Sequence, residues 1–131
     1  MTRGKQMLLT AALVLAAAAA PVVLATTSGR VPRRVDVEVK GFTDGARTWH
    51  FTPRVIYAHL GDTLHVKFEA EGAGHGFRLA QHTSEVDLTA YPGMPVETSF
   101  VVDWVGGREF YCTFDCGPGH AQMSGMIISE R

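Results

Sequence analysis

At 131 residues, with 46% hydrophobic and 19% charged side chains, the chain has room for one folded domain and a short appendage, but not for a second domain. Its formal charge of −1, with no lysine or arginine stripe, excludes a polyanion-binding surface as the default, so nucleic acid is not an expected partner. Both cysteines, Cys112 and Cys116, sit in one short stretch; no disulfide framework spans the chain, and the fold must rest on its core.

Arg3 and Lys5 precede an apolar run from Met7 to Ala25 that only Thr10 and Pro21 interrupt. Such a run is an export signal or a membrane anchor. It approaches the ~20 residues of a single span and exceeds the h-region of a cleaved signal, which favours a retained anchor helix within residues 1–29. Its alanine-rich middle drives insertion weakly and Val23-Leu24-Ala25 offers a small-residue cleavage site, so both outcomes stay open. Arg30, Arg33 and Arg34 would suit lipid headgroups. Without the segment through Ala25, ten basic residues face thirteen acidic ones, a net charge of −3 that mildly suits a basic partner. Either fate places the domain of residues 30–131 on the periplasmic or extracytoplasmic side.

From Val35 the apolar pattern has period two and turn residues recur every eight to twelve positions, the signature of a small all-β sandwich or barrel. Val35, Val37 and Val39 alternate with Asp36, Glu38 and Lys40; Trp49 and Phe51 alternate next, and Pro53 interrupts before Val55, Ile56 and Tyr57. Leu64, Val66 and Phe68 face inward while His65, Lys67 and Glu69 face out. After the Gly72-Ala73-Gly74 corner, His75 to Leu79 forms a strand, and Val86 and Leu88 a short one. Thr98, Phe100, Val102 and Trp104 are expected on one face of a longer strand that ends at Gly106-Gly107. Phe110 and Cys112 carry the alternation into a loop, and Met126 and Ile128 lie in a closing strand, with Met94 and Met126 as core gap-fillers. No soluble helix and no repeat is evident. About eight short strands in ~100 residues suit a Greek-key sandwich whose loops cluster at the ends of the sheets. His75 and the loop from Cys112 to Met123 can therefore meet at one end.

That loop reads Cys112-Thr113-Phe114-Asp115-Cys116-Gly117-Pro118-Gly119-His120-Ala121-Gln122-Met123. Two thiols, an imidazole and a thioether are soft or borderline donors that select copper over magnesium, calcium or manganese. A redox dithiol would leave His75, His120 and Met123 unexplained. A thioredoxin-fold copper chaperone needs helices and βαβ units that the pattern lacks. A mononuclear copper-binding or delivery protein within the same barrel stays open, because sequence does not count copper ions. His50, His59, His65 and His82 read as strand-face or loop residues. Trp104 reads as a core anchor and Asp115 as loop polarity. No catalytic acid, base or nucleophile is evident, so catalysis by the chain alone is not expected.

The pattern Cys-x3-Cys-x3-His-x2-Met before the last strand, with His75-Gly76-Phe77 beginning 37 residues ahead of Cys112, resembles the binuclear CuA domain. This is the domain of subunit II of haem-copper cytochrome oxidases, in the branch with a single anchoring helix, and it is related to the CuA domain of nitrous-oxide reductases. The likeness covers the chain in layout, including the aromatic segment Trp49 to Pro53, and is most specific over His75 to Phe77 and Phe110 to Gly125. It implies a cupredoxin-like Greek-key fold with an N-terminal hydrophobic helix. It further implies two copper ions bridged by Cys112 and Cys116, one bound by His75 and one by His120. On the same resemblance Met123 would supply a weak axial thioether and the Phe114 carbonyl the weak ligand opposite. Cys116 is the deciding residue, because a single cysteine here would give a mononuclear blue-copper site. The implied donor is a c-type cytochrome or small copper protein, and the acceptor the catalytic subunit of a haem-copper oxidase in the respiratory chain. The sequence departs from the family at Phe114, where a carboxylate often reaches a magnesium site shared with subunit I, and at Gly72, where aspartate is common. Trp49 lies in the segment from which the family draws its electron-receiving tryptophan.

Overall fold

The computed structural model describes residues 29–44, 48–82 and 85–131. The apolar segment Met7 to Ala25, with its two readings, lies outside them. Among the described residues no helix is long and apolar enough to cross a membrane.

The described chain forms nine strands: β1 (Arg34–Asp44), β2 (Thr48–Thr52), β3 (Val55–His59), β4 (Thr63–Glu71), β5 (His75–Leu79), β6 (Asp87–Ala90), β7 (Val96–Val101), β8 (Gly106–Tyr111) and β9 (Ser124–Glu130). A single 3-10 turn, His120–Gln122, lies inside the ligand loop. One sheet has the order β2-β1-β4-β7 and the other β3-β9-β8-β5-β6. The pairs β1/β4 and β3/β9 are parallel, and the remaining pairs antiparallel. Parallel pairs need a crossover, so the chain switches sheets as a sandwich requires.

Period-two patterning explains the layers. Leu64, Val66 and Phe68 of β4 are fully buried, and Val39 of β1 joins them across the parallel pair. Between the sheets Phe51, Phe68, Phe77 and Phe110 form one aromatic cluster; Phe77 and Phe110 stack at 4.8 Å, and Phe51 meets Phe110 edge-on at 5.0 Å. Phe77 lies two residues after His75 and Phe110 two before Cys112, so each shares its strand's inward face with a ligand candidate. The core thus sets the height of both chain segments that enter the site.

Several expectations are corrected. Gly106-Gly107 opens β8 instead of ending β7: Gly106 takes φ +99 to turn the chain, and Gly107 pairs with Ile128. Val102 and Trp104 are buried as expected, at 0% and 8% exposure, but lie in the connection after β7. In β9 the inward residues are Ile127 and Ser129, not Met126 and Ile128. The register follows from Phe110, whose ring fills the space over its partner Gly125; a Cβ on Gly125 would come 2.2 Å from the Phe110 Cζ. Gly125 is thereby inward, and every second residue after it. Met126 and Met94 are accordingly exposed, at 37% and 66%, and do not fill the core.

The pole before β4 is closed by Asp62, which is fully buried. Arg30 donates to both its carboxylate oxygens at 2.7 and 3.0 Å, and the amides of Arg33 and His59 add two more bonds. The arginine hydrogen bond, against the cost of burial, holds this carboxyl far below the usual carboxylate range. The opposite pole, where β4 ends and β5 begins, carries the ligand candidates.

Candidate metal centre

His75 opens β5 and is fully buried. Its Nε2 lies 3.1 Å from both the Glu71 carbonyl oxygen and the Thr43 hydroxyl. A carbonyl only accepts, so Nε2 carries the proton and donates. Nδ1 is then an unprotonated lone pair, buried and without a hydrogen-bond partner. Burial lowers the imidazole's pKa, with the Glu71 carbonyl opposing it in part. The ring is therefore presented neutral, with a free basic nitrogen, as a metal ligand requires.

Cys112 follows β8 and Cys116 lies four residues on; both thiols are free and buried. Their sulfurs stand 3.8 Å apart, nearly twice an S–S bond of about 2.05 Å. The donor atoms of His75, Cys112 and Cys116 all lie within 4.8 Å of one another. The Cys112 thiol lies 3.2 Å from the Phe114 carbonyl oxygen and accepts from the Gly76 amide at 3.2 Å. On the other side, Cys116 Sγ lies 3.8 Å from His120 Nδ1 and 3.9 Å from the Met123 Sδ. Phe114 thus touches Cys112, and His120 and Met123 touch Cys116, around the trio of His75 and the two cysteines. Burial and the neighbouring Cys112 push the Cys116 thiol up to about 12, so without metal it is protonated at neutral pH.

The loop is held from three directions. The Cys112 amide donates to the Met123 carbonyl at 3.1 Å, closing the loop at its base. Gly76 has no room for a side chain: a Cβ there would come 2.3 Å from Thr113 Oγ1 and 2.6 Å from the Thr113 nitrogen. Trp49 covers the far side and donates its indole N–H to the Cys116 carbonyl at 2.9 Å. Its ring lies so close to the loop that a Cβ on Gly119 would sit 1.9 Å from Trp49 Cε3. Phe114 turns its half-buried ring onto Tyr91, edge-on at 5.7 Å. A surface groove lined by Arg78, Tyr111, Thr113 and His120 opens beside Cys112 and Met123.

The remaining histidines engage other groups: His50 packs on Phe42, His59 lies near Asp62, His65 bonds Ser99 and His82 bonds the Val101 carbonyl. Sequence reasoning missed Thr43 and Gly41, the latter so close that a Cβ would come 2.7 Å from that of His75. In the sequence both fall in Gly41 to Gly45, which reads as the turn that ends the first strand, whereas β1 runs on through them to Asp44.

Fold and site together define an all-β cupredoxin-like sandwich with a cluster of soft donors at one pole. No family model matches the sequence, and no curated protein does. Among solved structures, a chain of a heme-copper terminal oxidase dimer aligns with a TM-score of 0.62 at 20% identity, over 75% of this chain and 65% of that one. The chain therefore spans just under two thirds of the oxidase chain's length. The periplasmic domain of subunit II of cytochrome oxidase from Bradyrhizobium japonicum aligns at 0.58 and 19% identity, over 73% and 83%. Auracyanin A, a "blue" copper protein from Chloroflexus aurantiacus, aligns at 0.58 and 18%, over 74% and 99%. At such identities these likenesses establish the cupredoxin fold and nothing finer.

Proposed function

We propose that the chain is a binuclear copper (CuA) electron-transfer domain of the oxidase subunit II type. In this role it accepts single electrons from a c-type cytochrome or small copper protein and passes them to a haem-copper oxidase catalytic core. The observation that carries the proposal is the distribution of donors about the two sulfurs. Their 3.8 Å separation alone does not discriminate, because thiolates at about 2.3 Å from one tetrahedral ion also stand roughly 3.8 Å apart. The flanking donors do. The Phe114 carbonyl lies against Cys112, His120 and Met123 lie against Cys116, and His75 is grouped with both. One four-coordinate ion cannot use six donors; two ions sharing both thiolates can.

When bound, the copper pair supplies a one-electron couple whose positive charge two thiolates offset. The chain's own residues supply the rest. Burial of His75, Cys112 and Met123 excludes water from the centre, while His120 stays half-exposed beside the groove and gives a partner close approach. The packed loop keeps ligands in place through the redox cycle. Periplasmic, membrane-anchored placement completes the proposal, supported by the apolar run from Met7 to Ala25. A shared magnesium site is no part of it, since Phe114 brings no carboxylate.

The second candidate is a mononuclear copper-binding or delivery cupredoxin, favoured by the compact trio His75, Cys112 and Cys116 and by the likeness to auracyanin A. The copper content of the loaded wild type separates the two, at two ions per chain or one, and Cys116→Ser then tests the shared thiolate. A binuclear centre loses its colour, half its copper and its one-electron reduction by reduced cytochrome c. Unchanged copper content and colour in the variant contradicts the CuA assignment.

A further inference from the structure

The β1–β2 hairpin touches both halves of the constellation. Thr43, in β1, places its hydroxyl 3.1 Å from His75 Nε2, and Trp49, in β2, donates to the Cys116 carbonyl at 2.9 Å. These two residues are direct cross-strand partners. From this juxtaposition we propose that Thr43 and Trp49 form a positioning rung that holds the His75 ring and the Cys116 segment at a fixed separation. The rung thereby sets the reduction potential and copper retention of the centre. The proposal rests on the copper-site reading above.

On the Thr43 side, the Nε2 proton faces two acceptors, the Glu71 carbonyl and the threonine oxygen. A single acceptor fixes the tautomer but lets the ring swing about the bond. A second, from the neighbouring strand β1, fixes the ring plane and so the direction of the Nδ1 lone pair. Gly41, two residues earlier on the same face of β1, forms the floor under the ring, its missing side chain leaving the space that His75 Cβ and Cγ occupy. Gly72 completes the arrangement. It takes φ +80, and a Cβ there would come 2.3 Å from the Thr43 carbonyl oxygen, so the corner closes on β1 only without a side chain. A side chain at position 72 would push the Thr43 backbone away from this corner, and with it the hydroxyl from His75.

On the Trp49 side, the indole donates to the carbonyl of Cys116 itself, and its ring lies over Gly117 and Gly119. A hydrogen-bond acceptor on the far nitrogen of a ligating imidazole strengthens it as a donor and favours the oxidised metal, and removing such a partner lowers metal affinity roughly 10- to 100-fold. Because both contacts hang from one rung, movement of either residue alters the gap between His75 and Cys116.

The test compares Thr43→Val, which removes the hydroxyl and keeps the shape, with Thr43→Ser and Trp49→Phe in the full chain. In copper-loaded protein, Thr43→Val is expected to raise the reduction potential and to speed copper loss to a chelator roughly 10- to 100-fold, with Thr43→Ser restoring both. In metal-free protein, nitrogen-15 NMR is expected to show a slowly exchanging His75 Nε2 proton in the wild type and Thr43→Ser, and faster exchange in Thr43→Val. Trp49→Phe is expected to speed copper loss while leaving that proton protected. Wild-type potential and retention in Thr43→Val, or failure of Thr43→Ser to restore them, overturns the rung. Should the wild type take up no copper, the functional proposal fails by itself; the NMR comparison still decides, with equal proton exchange in wild type and Thr43→Val overturning the rung.

Discussion

Gly119→Ala puts the packing of Trp49 on the ligand loop to a quantitative test. Gly119 has φ −92 and ψ 4, the bridge conformation that residues with a side chain also take in turns, so the cost is chiefly steric. The added Cβ would stand 1.9 Å from Trp49 Cε3 and 2.4 Å from Cδ2. Carbon atoms in contact need about 3.5 Å, so the ring must retreat by about 1.5 Å. Overpacking of this kind costs about 1–3 kcal/mol. The retreat also breaks the 2.9 Å bond to the Cys116 carbonyl, worth about 1 kcal/mol more. The expected loss is therefore about 2–4 kcal/mol, which lowers the melting temperature of a domain this size by at least ~8 °C. Urea unfolding of the metal-free protein measures it, in a double-mutant cycle with Trp49→Ala. With the indole gone, the three atoms nearest the added methyl are removed and its cost should fall below about 0.5 kcal/mol. An equal cost in both backgrounds, or a negligible one in the wild type, refutes the reasoning.

Two other outcomes follow from the charges. The folded pKa of Asp62 is depressed, so its stabilisation is present above the ordinary carboxylate pKa of about 3.8 and fades as pH falls toward the folded value; Asp62→Asn should cost on the order of 3 kcal/mol at neutral pH, and the difference in unfolding midpoint between the two proteins should shrink on acidification below about pH 4. A pH-independent difference contradicts the role of the carboxylate. Because the Cys116 thiol is pushed up to about 12, copper loading at neutral pH must displace its proton; calorimetry in buffers of different ionisation enthalpy should show proton release, with apparent affinity rising between about pH 6 and 9. Loading without proton release contradicts a thiolate ligand at this position.

The strands were legible where one face is wet and the other dry. β4 alternates without a break because solvent and core each claim every second residue, and its burial follows the pattern residue for residue. In β9 both Met126 and Ile127 are apolar, so periodicity alone does not choose the inward one; the choice is made by Phe110, which pairs with Gly125 across the sheet from fifteen positions earlier in the chain. Of the site, the ligand types were readable because thiols, imidazole and thioether carry their chemistry in the side chain. The supports were not, because Thr43, Gly41 and Gly76 act through where they stand. Trp49 was visible as an aromatic beside Phe51, but only the hairpin register places its indole on the ligand loop.

The central claim is that two copper ions share Cys112 and Cys116. Its most direct test is metal analysis of the copper-loaded chain combined with electron paramagnetic resonance of the same sample. The account predicts two coppers per chain and a hyperfine pattern from one unpaired electron spread equally over two copper nuclei. One copper per chain, with the hyperfine pattern of a single nucleus, would contradict it.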